Sequence, residues 1–159
     1  MSNHQGTIVV TGRGGTGKTT FTTLMARALG ESGVEPLLLV DSDPDESLAE
    51  MLGVDLEASG KRSISEVLAE ILEERKMSRM TGMTPTDKIE PYLWNESLYE
   101  GKSFFDFIGV GTKWIEGCYC LPDRSLGQIM KMWGRNYVYV VVDSPAEVEH
   151  LNRRITKKA

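Results

Sequence analysis

Apolar residues along this chain fall into two kinds of run, and the difference between them sets the predicted elements. Four runs are short and nearly continuous: Thr7–Thr11 (TIVVT), Pro36–Asp41 (PLLLVD), Ser103–Val110 (SFFDFIGV) and Tyr137–Asp143 (YVYVVVD). Runs of this length, rich in β-branched and aliphatic residues and lacking polar alternation, predict strands buried on both faces, as in a parallel sheet covered by helices. Other stretches repeat at helical spacing. Phe21, Leu24, Met25, Ala28 and Leu29 predict a helix from Lys18 to Ser32, with Gly30 and Gly33 as stop signals. Ile64, Val67, Leu68, Ile71 and Leu72 predict another, opened by Ser63 and Glu66 at capping-box spacing. Leu126–Trp133 predicts a third. Met77–Gly101 carries prolines and glycines with little periodicity and predicts a loop with one short helix.

Strands alternating with helices imply an α/β fold: a mostly parallel sheet flanked by helices in three layers, with the usual right-handed crossovers. At 159 residues and 40% apolar, the chain has material for one core, and a single domain spanning residues 1–159 is expected. In open parallel sheets ligands bind beyond the carboxyl ends of the strands. Three of the predicted strands end there on candidate chemistry, at Gly12, Asp41 and Asp143.

Gly12-Arg13-Gly14-Gly15-Thr16-Gly17-Lys18-Thr19 fits the phosphate-loop pattern G-x-x-x-x-G-K-S/T, with the required strand before it and helix after it. The glycines are needed because successive backbone N–H groups must turn inward around a phosphate along a path that side chains obstruct. Lys18 is expected to reach the β and γ phosphates, Thr19 to offer a hydroxyl to Mg²⁺, and the helix start through Thr20 to place its positive dipole end beneath the anion. Asp143 has the position of a Walker B acid that holds magnesium through water. Asp41 and Asp43, in Val40-Asp41-Ser42-Asp43-Pro44, are candidates for magnesium water and for orienting the attacking water. The plainer reading makes Asp143 a strand-end cap and the other two acids turn formers beside Pro44 and Asp45.

Charge narrows the partners. Eighteen basic against 23 acidic residues give a net charge of −5, which argues against duplex nucleic acid and against an anionic membrane surface. The sequence lacks an apolar run of membrane-spanning length, and Met1–Gly6 lacks the pattern of a secretory signal, so a cytoplasmic protein is expected. Cys118 and Cys120 are too close for an ordinary disulfide framework and suit a reduced compartment. Two cysteines two residues apart on an extended segment share a side, supplying half of a four-thiolate site that a two-fold dimer would complete; the other reading is two small buried hydrophobes. Met77, Met80 and Met83 read as gap-fillers, Phe104, Phe105 and Phe107 as core, His150 as a hydrogen-bonding group within its segment, and His4 as part of a loose terminus.

The basic residue after the first glycine resembles the deviant Walker A of the MinD, ParA and nitrogenase-iron-protein superclass, written G-K-G-G-x-G-K-S/T, with Arg13 at the position of the signature lysine. That resemblance implies ATP and ADP as ligands and a homodimer in which Arg13 reaches the partner's phosphates. Gly117-Cys118-Tyr119-Cys120 and Asp143-Ser144-Pro145-Ala146-Glu147-Val148-Glu149-His150 are similar to the C-Y-C and D-x-x-A-G-x-E-H segments of CooC-type accessory ATPases. The match at Cys118, Cys120, Asp143, Ala146, Glu149 and His150 implies slow ATP hydrolysis coupled to delivery of nickel, or binding of zinc, at a thiolate site across the dimer. The implied client is a metalloenzyme such as carbon monoxide dehydrogenase. Glu147 stands where the family carries glycine, which bears on how the segment moves with nucleotide. The family also continues past this segment with further strands and the adenine-recognising region, so an incomplete sheet with an unpaired edge is expected here. Competing readings are a MinD- or ParA-type positioning ATPase, a nucleotide-binding regulatory module without turnover, and, more weakly, a small-molecule P-loop kinase.

Overall fold

The computed structural model describes residues 5–43, 45–78, 86–101, 103–111, 130 and 133–145. The elements are β1 (Gly6–Val10), α1 (Lys18–Glu31), β2 (Leu37–Asp41), α2 (Ser47–Leu52), α3 (Ile64–Ser78), α4 (Thr86–Ser97), β3 (Phe105–Gly109) and β4 (Tyr139–Asp143), with a 3₁₀ turn at Gly134–Asn136 ahead of β4. All four predicted strands form, each within a few residues of its apolar run. They make one sheet in the order β1-β4-β2-β3, with every pair parallel.

Alternation along the strands divides the interior into two layers. Leu38, Val40, Ile108, Val140 and Val142 face α3 and α4, where they pack with Ile64, Val67, Leu93 and Leu98. Leu37, Leu39, Phe107 and Val141 face the opposite side, with Ala26 of α1 and Leu48 of α2. Every residue of β2 is buried, as the unbroken apolar run requires of a strand covered on both faces. The fold is therefore the expected three-layer α/β sandwich. β1 is half-buried along its length and, among the described residues, pairs with β4 alone.

Three local readings change. The stripe assigned to α1 is rotated: its sheet face is carried by Thr22, Ala26 and Leu29, while Phe21 and Leu24 are 58% and 62% exposed. Gly30 does not stop that helix but lies inside it, where a Cβ would stand 2.3 Å from Cγ of Phe104; Gly33, at φ 77°, is the residue in the left-handed conformation. The turn after β2 leads into a short helix, α2, that the acids around Pro44 concealed. The one short helix expected within Met77–Gly101 is α4, 12 residues long, which forms despite Pro91. Tertiary contacts hold it: Trp94 packs edge-on against Trp133 at 4.6 Å, and Arg62 donates to Glu70 on α3 and to Glu96 on α4, the latter at 2.7 Å. The capping box at the head of α3 is present in its backbone half, with the Ser63 N–H on Glu66 at 3.0 Å. Phe104, Phe105 and Phe107 belong to the core as expected. The predicted helix at 126–133 lies largely outside the described residues, as do Met80 and Met83.

Candidate phosphate-binding site

The site is built by strand register. Val10 pairs with Asp143, Asp143 with Asp41, and Asp41 with Gly109, so the carboxyl ends of the four strands form one row. The glycine-rich loop leaves the sheet directly after Val10, which puts it in the next row out from Asp143.

Within the loop, Gly15 and Gly17 have φ values of 73° and 80°, in the left-handed region that only glycine occupies at little cost. Gly17 also precedes α1 without a side-chain cap, so the first N–H groups of that 14-residue helix are left to another acceptor. The Arg13 carbonyl is the loop's internal anchor. It accepts the Thr16 hydroxyl at 2.8 Å and the Lys18 ammonium at 3.4 Å. Gly12 packs closely on this turn, since a Cβ there would meet the Thr16 hydroxyl at 3.0 Å. Arg13, Gly14, Thr16 and Thr20 are exposed, and Thr19 is half-buried.

Behind the loop stand two carboxylates with different surroundings. Asp41 is fully buried, and both its oxygens are occupied: one accepts the Asp43 N–H at 3.1 Å and the other the Leu48 N–H at 3.0 Å. It thereby closes the turn after β2 and ties α2 to the sheet. Burial lifts its pKa to about 7; the two backbone donors oppose the shift, and the neighbouring Asp143 and Asp43 reinforce it. Asp143 is also fully buried, and its carboxylate is approached by the hydroxyls of Thr22 and Thr19. Oδ1 lies 3.4 Å from the Thr22 hydroxyl, while Oδ2 has no hydrogen-bond partner among the described residues. Burial raises the Asp143 carboxyl above its ordinary value, against the lowering effect of the Thr19 hydroxyl and of Lys18.

Asp43 is half-buried, accepts the Asp45 N–H at 3.1 Å, and lies close enough to disfavour ionisation of both strand acids. A triphosphate placed here would meet three carboxylates, against Lys18 and the exposed Arg13 as the cations of the loop itself. A divalent cation fits that imbalance, and the buried, unpartnered Asp143 Oδ2 together with the Thr19 hydroxyl is the oxygen donor set such an ion prefers. No group of three or more His, Cys, Asp or Glu side chains among the described residues is arranged to hold a metal unaided.

The structure thus brings Gly12 to Thr20, Asp41, Asp43 and Asp143 to one edge of the sheet. It adds Thr22 and Ser42, which sequence reasoning did not single out because neither belongs to a spacing pattern. Cys118, Cys120, Ala146, Glu147, Glu149 and His150 lie outside the described residues.

A glycine-rich loop joining a parallel strand to a helix, with a strand-end acid on the adjacent strand, defines a P-loop nucleotide-binding domain. Residues 7–109 match the family of the CobQ/CobB/MinD/ParA nucleotide binding domain, and the chain belongs to that family. It is 39% identical over 150 residues to the ATP-binding protein MJ0685 of Methanocaldococcus jannaschii, covering 94% of this chain and 57% of that protein. It is 28% identical over 158 residues to the carbon monoxide dehydrogenase accessory protein CooC of Rhodospirillum rubrum, covering 92% of this chain and 57% of CooC. Cobyrinic acid a,c-diamide synthase from Mycobacterium smegmatis, solved with bound ADP and magnesium, shares the fold with a TM-score of 0.57 at 20% identity, over 91% of this chain and 52% of that one. The chain spans a little over half the length of the curated relatives it matches. Among the described residues no helix is long and apolar enough to cross a membrane.

Proposed function

We propose that this chain is the nucleotide-binding part of an ATP-driven switch that couples nucleotide state to metal delivery. The observation that carries the nucleotide half is the register of Val10, Asp143 and Asp41, which sets a buried acid, one oxygen of which has no partner among the described residues, beside a phosphate loop. In this reading Lys18 and the backbone N–H groups from Gly14 to Thr19 bind the β and γ phosphates of ATP. Thr19 and Asp143 hold the magnesium, which supplies charge neutralisation between the phosphates when bound. Asp41 keeps the turn after β2 in place, so that Asp43 is held where it can orient the attacking water. Arg13, exposed in the loop, serves the phosphates of a second copy in a homodimer, as a forked cation suited to bidentate contact. Hydrolysis in such a site is slow, because its output is a change of state and not product accumulation.

The metal half is supported by the kinship with CooC and by the Cys118 and Cys120 pair, whose thiolates suit nickel or zinc if two chains contribute. A client metalloenzyme follows from that kinship. The test is metal titration of the reduced protein with and without a nonhydrolysable ATP analogue, reading stoichiometry and molecular mass together. One nickel or zinc ion per nucleotide-promoted dimer, lost in Cys118→Ser/Cys120→Ser, supports the reading. Tight nucleotide binding with no cysteine-dependent metal removes the metal half and leaves a positioning ATPase or a regulatory nucleotide-binding module.

A further inference from the structure

Thr22 sits on the sheet-facing side of α1, completely buried, one turn beyond Thr19. Its hydroxyl oxygen lies 2.9 Å from the Lys18 carbonyl and 3.4 Å from Oδ1 of Asp143, a contact between residues 121 positions apart. Packing does not call for a hydroxyl here. Ala26, one turn on, is equally buried on the same face without one. Threonine is also a poor residue for a helix interior, because its branched side chain loses rotamer freedom there. The Lys18 carbonyl satisfies the hydroxyl within the helix, and the second acceptor that shares its proton is the Asp143 carboxylate across the sheet.

The backbone around Asp143 supplies it. The Asp143 carbonyl accepts the Ser42 N–H at 3.0 Å and the Ser42 hydroxyl at 2.7 Å, while the next N–H, of Ser144, donates to Val10 at 3.2 Å. The main chain at the acid is thus fixed from β2 on one side and β1 on the other. What remains to be set is the side-chain rotamer, which the Thr19 hydroxyl approaches from the loop and the Thr22 hydroxyl from the buried face of α1, at 3.4 Å from Oδ1.

We propose that Thr22 is a positioning residue for the metal-binding acid: by engaging Oδ1 of Asp143 from α1, it leaves Oδ2 as the oxygen offered to a magnesium-bound water. This rests on the reading that the loop binds a magnesium nucleotide. It adds that the same helix carrying Lys18 and Thr19 also aligns the acid on the neighbouring strand, so that loop and acid are built as one rigid unit. Outer contacts that orient metal-binding carboxylates are worth about 10- to 100-fold in metal affinity.

The test uses fluorescent ADP and Mn²⁺, with bound manganese followed by electron paramagnetic resonance, on the wild type, Thr22→Val and Thr22→Ser, and on Thr22→Ala should the valine variant lose its thermal transition. The expected result is that Thr22→Val weakens manganese-dependent ADP binding by about tenfold, leaves ADP affinity in EDTA within about twofold of wild type, and is rescued by Thr22→Ser. A valine or alanine variant that keeps the full manganese increment, or that loses affinity equally in EDTA, overturns the assignment. A wild type with no manganese-dependent increment would instead overturn the magnesium-nucleotide reading itself, and this assignment with it.

Discussion

Asp41 and Asp143 are register partners on adjacent parallel strands, both fully buried, yet the first has both carboxylate oxygens occupied by backbone N–H groups and the second has one oxygen with no hydrogen-bond partner among the described residues. Two equivalent positions in a sheet have thus been given different work. One carboxylate is spent on architecture, closing a turn and anchoring α2. The other keeps an acceptor in reserve at the edge where the phosphate loop begins.

The Asp41 pKa of about 7 gives a pH prediction whose sign is fixed. The folded value lies above the ordinary carboxyl value of about 3.9, so the protonated form is favoured by folding. Its contribution to stability is complete below about pH 4 and is lost as pH rises through about 7. Asp41→Asn removes that titration at the cost of one backbone hydrogen bond, a constant offset. Urea melts of both proteins between about pH 4 and pH 8 should therefore show the wild type losing ground to the variant with rising pH, by on the order of a few kcal/mol across the window. Parallel stability curves would show that Asp41 is not perturbed.

Lys18→Ala should weaken ATP binding by about 10- to 100-fold, the worth of a charge-assisted contact to phosphate. Thermal stability without nucleotide should barely change, since the ammonium makes only a 3.4 Å contact with the exposed Arg13 carbonyl. Isothermal titration with ATP and a melt of the free protein separate the two effects. Unchanged ATP affinity would remove the phosphate loop from the binding site.

If Arg13 acts on a second copy, Arg13→Ala should bind ATP within about twofold of wild type yet turn over about 10³-fold more slowly, the lower end of what a transition-state arginine supplies. Phosphate-release rates measured across a range of protein concentrations address this directly. Equal turnover in the variant, at every concentration, would make Arg13 an ordinary exposed loop residue.

Gly30 tests the packing of α1 on the segment before β3. Alanine normally improves a helix by about 1 kcal/mol over glycine. Here its methyl group would enter the Phe104 ring, and overpacking typically costs about 1–3 kcal/mol. Gly30→Ala should therefore destabilise the fold in denaturant melts, and Phe104→Leu in the same chain should recover part of the loss. A more stable Gly30→Ala single variant would contradict the contact.

Arg62 offers a comparable test of α4. Its guanidinium joins Glu70 and Glu96 while its N–H donates to the Glu96 carbonyl at 2.9 Å. The pairs are partly exposed, so Arg62→Ala should cost only about 1 kcal/mol. Faster amide exchange should concentrate in α4. A loss spread evenly over the sheet would mean that Arg62 does not act as the local tie.

The strands and the phosphate loop were legible along the chain because each depends on neighbours in sequence. A run such as Leu37–Val40 is apolar without a break because both faces are covered, and the loop's glycines are spaced by the path its backbone must take. The acids at the ends of two such runs pointed to the same edge for the same reason. Spacing alone could not tell Asp41 from Asp143, since their difference lies in partners seven residues away at Leu48 and 121 away at Thr22. Nor could it set the phase of α1, where Phe21 and Leu24 carry the apolar pattern but Thr22 and Ala26 meet the sheet, or show that α4 forms around Pro91 once Trp133 and Arg62 are there to hold it. Local periodicity and turn chemistry are written into the order of residues. Which side of a helix is covered, and which oxygen of a buried acid is left free, follow from contacts between distant segments and exist only once the sheet has brought them together.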